Sequence, residues 1–237
     1  MTDVLALHGF TQRGAMWDEV AALAGGEWDA PDLPGHGGTP PMGWDEAVAW
    51  VSARAAAEGA ATLIGYSMGG RLALAAALEE PGPIRRLVLV SAGMGVEDPA
   101  ARERRRREDG QTAERIERLG LDLFLTEWLA RPMFSGLGRR PAHWGGRDLR
   151  MRLTNDPAGL AAVVRSLGQG AQPHLGSRLG GLAMPVVAVA GERDEAYAAI
   201  ARRIAAAAPD GCYVGVPGAG HSVVGEDPAA VASTLEG

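Results

Sequence analysis

The stretch Leu63-Ile64-Gly65-Tyr66-Ser67-Met68-Gly69-Gly70-Arg71 restricts the fold more than any other part of the chain. A short apolar run, Ala60 to Ile64, enters it, and a helix-forming run, Arg71 to Leu78, leaves it. Between them lies Gly-x-Ser-x-Gly, the pattern of a nucleophile elbow. The chemistry explains the spacing. A turn this tight brings backbone against backbone, so side chains at positions 65 and 69 would collide with their neighbours. The same turn lifts the Ser67 hydroxyl clear of the sheet. It also leaves the Met68 N–H at a helix N-terminus, where donors have no intrahelical partner. Gly-x-Ser-x-Gly alone is a weak signal, because both residue types are common in loops. Set between a strand and a helix, it is a strong one.

The rest of the chain repeats the strand-then-helix alternation. Val4-Leu5-Ala6-Leu7 reads as a buried strand running into His8-Gly9-Phe10. Ala15–Ala24 reads as a helix, Glu27–Ala30 as a brief strand, and Pro31–Gly38 as a rigid loop. Trp44–Glu58 has helical periodicity, with Asp45 and Glu46 favourably placed in its first turn. Ile84–Ser91, Pro185–Ala190 and Cys212–Val216 read as further strands, and Ala196–Ala208 and Pro228–Leu235 as helices. About six short apolar strands without hairpin signals indicate an α/β protein with a mostly parallel, doubly wound sheet. The alternation fails only from about Gly93 to Arg178, where no apolar strand occurs. Ala100–Leu119, Leu121–Leu129 and Asn155–Ser166 read there as helices, Arg131-Pro132 as a break and His143–Gly146 as a loop. We expect residues 1–92 and 179–237 to form the core and 93–178 an inserted helical cap, or lid.

Composition narrows the possible functions. All 23 basic residues are arginine, which excludes Schiff-base chemistry on a lysine amine. The net charge of −6 is unevenly spread: residues 93–178 hold 15 arginines against 11 acids, and the remainder is strongly acidic. A basic middle segment in an acidic chain suits a local anionic ligand better than nucleic acid, which goes with a strongly basic domain. The run Arg104–Arg107 is expected to be mainly a solvated helix face, since helical spacing lets only one or two of the four meet a ligand. The single cysteine, Cys212, rules out an internal disulfide framework and is expected to pack as a small apolar residue. No run is long and apolar enough for a bilayer, and Met1-Thr2-Asp3-Val4 lacks a basic leader. A soluble, cytoplasmic protein is expected, a monomer or a small homo-oligomer. Glycine spacing after Gly93 and Gly218 does not fit dinucleotide binding, and no His/Cys cluster has metal-ligand spacing, so no dinucleotide site and no metal site is expected.

Three residues far apart in the chain complete the picture. Asp194, in Gly191-Glu192-Arg193-Asp194, and His221, in Gly218-Ala219-Gly220-His221, each follow an apolar strand, as Ser67 does. The carboxyl edge of a parallel sheet gathers such residues. The order Ser…Asp…His is that of the α/β-hydrolase fold. His221 would take the Ser67 proton and Asp194 would hold the imidazole. The backbone N–H groups of Phe10 and Met68 would form the oxyanion hole. The rivals for the acid, Asp156 and Asp227, follow no strand. His8 and His36 are read as loop braces.

Leu7-His8-Gly9-Phe10-Thr11, Asp32-Leu33-Pro34-Gly35-His36-Gly37 and Gly65–Arg71 together resemble the 2-succinyl-6-hydroxy-2,4-cyclohexadiene-1-carboxylate synthase (MenH) family. The likeness extends to Phe124–Phe134, to Gly159-Leu160 with Leu167–Pro173, and to Gly191–Tyr197, so it spans nearly the whole chain. It implies a lyase of menaquinone biosynthesis that eliminates pyruvate without a cofactor, using Ser67, His221 and Asp194 to abstract a ring proton. It also implies a polycarboxylate small-molecule substrate gripped by Arg71, Arg105 and Arg152, in a pocket lined by Tyr66 and Trp128. Arginine suits this because its planar fork matches a carboxylate.

Fold does not fix function. A carboxylesterase or carbon–carbon bond hydrolase on the same scaffold is the alternative, though neutral esters need no cationic cap. A ligand receptor that keeps the triad on a hydrolase scaffold is a third reading.

Overall fold

Apolar residues alternate along every central strand, and each set lands on its own face of the sheet. The computed structural model describes residues 3–235; Met1 and Thr2, on which the expectation about a leader in part rests, lie outside them. The strands are β1 (Val4–Leu7), β2 (Trp28–Asp29), β3 (Thr62–Tyr66), β4 (Arg86–Val90), β5 (Val186–Gly191) and β6 (Gly211–Val216). They form one sheet in the order β2-β1-β3-β4-β5-β6, parallel at every pairing. Leu5, Leu7, Leu63, Leu87, Leu89 and Ala188 face one cluster. It is shared with α2 (Trp44–Glu58), α3 (Met68–Glu79) and α7 (Glu195–Ala207). Ala6, Ile64, Val88, Val90 and Val189 face the opposite cluster. That one is shared with α1 (Asp18–Ala24), α8 (Val223–Glu226) and α9 (Pro228–Ser233). Both faces are covered, as a parallel sheet requires. The winding direction reverses between β1 and β3, which opens a crevice at the carboxyl ends of those two strands.

Between β4 and β5 the chain adds α4 (Pro99–Leu129), α5 (Ala142–Leu153) and α6 (Pro157–Leu167) and, among the described residues, no strand. Asp98 caps α4 by accepting from the Ala101 N–H, and Pro99 follows it. Inside α4, Gly120 sits at φ 72°, ψ 170°, so the helix is broken into two arms. Ala113, Ile116, Leu121, Phe124 and Leu125 of α4 pack with Leu160, Ala161 and Val164 of α6 in a third buried cluster.

Three expectations need correction. His143–Gly146 is not a loop but the first turns of α5, where Asp148 and Arg152 pair across one helical turn. Cys212 does not pack inside: it is exposed on β6, the edge strand. The helix expected over Ala15–Ala24 begins as a 3-10 turn, Gly14–Trp17, before α1. Asp156 and Asp227 are the N-caps of α6 and α9, which accounts for both carboxylates. Among the described residues no helix is long and apolar enough to cross a membrane.

Candidate active site

Ser67 stands at the β3–α3 junction with φ 50° and ψ −106°, a region a residue with a Cβ rarely occupies. The glycines around it permit this turn. A Cβ on Gly65 would come within 2.5 Å of the Gly69 carbonyl oxygen, and one on Gly69 within 2.3 Å of the Leu7 carbonyl oxygen. The elbow therefore presses α3 against the end of β1. Asp194 follows β5 and caps α7, and His221 lies in the loop after β6. The structure brings all three together. His221 Nδ1 is 2.7 Å from Asp194 Oδ2, and His221 Nε2 is 3.1 Å from Ser67 Oγ. His221 is nearly inaccessible to solvent, and its ring lies against Tyr197 with centroids 4.4 Å apart. An acceptor carboxylate on Nδ1 fixes the tautomer that leaves Nε2 free to take a proton from the serine.

Phe10 and Met68 line the same cavity as Ser67. Among the described residues neither backbone N–H is taken up by a hydrogen bond. The Phe10 loop is braced by the two other histidines. The Leu33 N–H donates to His8 Nε2 at 2.9 Å, and the Thr11 N–H donates to His36 Nε2 at 3.2 Å. Burial holds the His8 imidazole well below its ordinary pKa and pulls His36 down to about 4, so both are neutral acceptors.

A cavity of about 280 Å³ opens above the serine. Each side chain expected to bind substrate lines it: Tyr66, Arg71, Arg105, Trp128 and Arg152. Their settings differ. Arg152 is buried, with Nε 2.8 Å from Asp148 and Nη1 donating to the Thr11 hydroxyl. Arg105 alone of the Arg104–Arg107 run lines the cavity, and its Nε is 2.9 Å from Asp109. Arg71 is buried without a carboxylate among the described residues. Its Nη2 donates to the Leu167 carbonyl at 2.7 Å, and the guanidinium lies 5.8 Å from the Trp44 ring. Burial pulls Arg71 down to about 10, so it remains a cation at neutral pH. Burial also raises Tyr66, whose phenol stays protonated.

Sequence reasoning missed several cavity residues. Arg131 follows the turn after α4, and Gln12 follows the Phe10 loop; both line the wall. Gln12 Oε1 and Trp128 Nε1 are buried polar atoms without a hydrogen-bond partner among the described residues. Gln169 donates to the Tyr197 hydroxyl at 2.7 Å, closing the wall beside Arg71. Arg131 carried a detectable signal, a basic residue three positions after the pocket tryptophan. Gln12 carried none.

The model of the alpha/beta hydrolase family matches residues 4–234. The 2-succinyl-6-hydroxy-2,4-cyclohexadiene-1-carboxylate synthase of Escherichia coli O1:K1 is 32% identical over 236 residues, 97% of this chain and 90% of that protein. The chain belongs to this synthase family of alpha/beta hydrolases. The structure of MenH from S. aureus matches the synthase-family chain with a TM-score of 0.93 at 27% identity, covering 99% of this chain and 92% of that one. A malate-bound thermophilic esterase from Thermogutta terrifontis matches with a TM-score of 0.82 at 26% identity, covering 98% and 87%. The synthase family thus shares its architecture with an ester hydrolase.

Proposed function

We propose that this chain is the lyase that eliminates pyruvate from 2-succinyl-5-enolpyruvyl-6-hydroxy-3-cyclohexene-1-carboxylate, giving 2-succinyl-6-hydroxy-2,4-cyclohexadiene-1-carboxylate for menaquinone biosynthesis. One observation carries the choice over ester hydrolysis. Arg71, four residues beyond Ser67, turns an uncompensated guanidinium into the cavity. A neutral ester gives a buried cation nothing to pair with, whereas this substrate brings three carboxylates.

The chemistry follows from the geometry. Ser67, deprotonated by His221 with Asp194 holding the imidazole, takes the proton at ring carbon C2. That C–H pair becomes the C2–C3 double bond, the C3–C4 pair shifts to C4–C5, and the C5–O bond breaks with its electrons. Enolpyruvate leaves and becomes pyruvate on protonation at carbon. The Phe10 and Met68 N–H groups donate to the succinyl carbonyl oxygen as negative charge develops on it. Arg71, Arg105 and Arg152 contribute cationic contacts to the substrate's carboxylates, while Tyr66 and Trp128 shape the apolar wall. No covalent intermediate and no cofactor is required. Residues 93–178 act as the cap that supplies Arg105, Trp128 and Arg152, over a core formed by 1–92 and 179–237.

Purified protein is given the enolpyruvyl substrate in a lactate-dehydrogenase-coupled assay and, separately, p-nitrophenyl acetate. Pyruvate release far faster than ester turnover supports the lyase; the opposite result assigns an esterase on the same triad.

A further inference from the structure

One cavity cation has no role in the account so far. Arg131 is the only exposed residue among those lining the cavity, so it marks the rim, while Ser67 and His221 mark the floor. Its guanidinium lies 4.0 Å from the Trp128 ring centroid, at stacking distance. Among the described residues it meets no carboxylate. Arg105 and Arg152 are each neutralised by an aspartate, so Arg71 and Arg131 are the two cavity guanidiniums left without a countercharge. The positive charges of Arg105 and Arg115 act on Arg131 as well; partial desolvation where the guanidinium lies against Trp128, then these two neighbours, lower its pKa. An anion at the rim would relieve that repulsion, and a guanidinium held against an aromatic ring offers a planar fork that matches a carboxylate.

The reaction geometry says which carboxylate. If C2 must sit over Ser67 on the floor, C5, directly across a six-membered ring, points towards the rim. The enolpyruvyl group hangs from C5. We propose that Arg131 is a specificity-determining residue that binds the carboxylate of the enolpyruvyl group and, after the C5–O bond breaks, of the departing pyruvate. This rests on the lyase reading for the pose of the ring, and it adds a role for the rim.

The experiment compares wild type with R131A and R131Q. Because Arg131 is exposed, both variants are expected to keep the wild-type Tm. Ligand-observed NMR measures pyruvate binding, which needs no turnover. A second titration uses the cyclohexadiene product, which lacks the enolpyruvyl carboxylate. Loss of one charge-assisted contact should weaken pyruvate binding and raise KM for the substrate by about tenfold or more, with kcat changed much less. Binding of the diene product should not change. Unchanged pyruvate binding in both variants overturns the proposal, and so does an equal loss for the diene product, which would place another carboxylate at Arg131. If wild type releases no pyruvate from the substrate, the lyase reading fails; the pyruvate titration still decides whether Arg131 holds a small keto-carboxylate.

Discussion

His221 Nδ1 lies 2.7 Å from Asp194 Oδ2, and that contact decides which ring nitrogen faces the serine. Asp194→Asn would present an amide N–H as readily as an oxygen and favour the wrong tautomer. We expect kcat for pyruvate release to drop by about ten-thousandfold, with an unchanged near-UV spectrum. A drop below tenfold would remove Asp194 from the machinery.

Arg71 serves both the cavity and the packing. Its Nη2 satisfies the Leu167 carbonyl in a buried setting. Arg71→Met should therefore destabilise by about 1–3 kcal/mol, through the acceptors it leaves unpaired. It should also raise KM for the enolpyruvyl substrate by well over tenfold. Thermal melts and steady-state kinetics on the same preparation separate the two effects; a melting loss with intact KM would make Arg71 purely structural.

Breaking the Arg152–Asp148 pair leaves a buried charge unmatched. Arg152→Met is expected to cost about 3–5 kcal/mol, and the double variant Arg152→Met/Asp148→Leu to recover much of it. Urea unfolding of the single and double variants measures the difference.

Stability should fall with acid over a defined window. His36 titrates at about 4 when folded and near its ordinary value, about 6.5, when unfolded, so between those values the unfolded chain binds more protons. The neutral-histidine contribution is complete above about pH 6.5 and declines as pH falls towards 4, by up to about 1.4 kcal/mol per unit for each such histidine. His8 acts in the same direction. Tm measured from pH 7.5 to 4.5 should drop across this range, and His36→Gln should flatten the profile while lowering Tm at pH 7.5. A parallel profile in the variant would assign the acid sensitivity elsewhere.

The sheet was legible because burial on both faces forces short unbroken apolar runs, and Leu63-Ile64 and Leu87–Val90 are such runs. The elbow was legible because only glycine tolerates the approach at positions 65 and 69. The helical segment read less well. Gly145-Gly146 looks like a turn, yet it lies within α5, whose following turns are anchored by the buried Asp148–Arg152 pair. Cys212 looks apolar by type, but β6 is the last strand of the sheet and no sequence pattern states which strand is last. Arg131 hid behind Pro132, because Arg-Pro reads as punctuation before it reads as chemistry. Gln12 is placed by a loop whose course depends on His8 and His36, a contact between distant stretches that local reading cannot supply.

The bend at Gly120 has a bearing on what the protein can admit. Arg105 and Asp109 ride on one arm of α4, Phe124 and Trp128 on the other. The span between these two banks is therefore set jointly by the Gly120 torsions and by α6, against which both arms pack. Gly120 itself does not line the cavity, so a bend outside the walls helps to fix how far apart two of them stand, as the hinge of a compass lies off the circle its points draw.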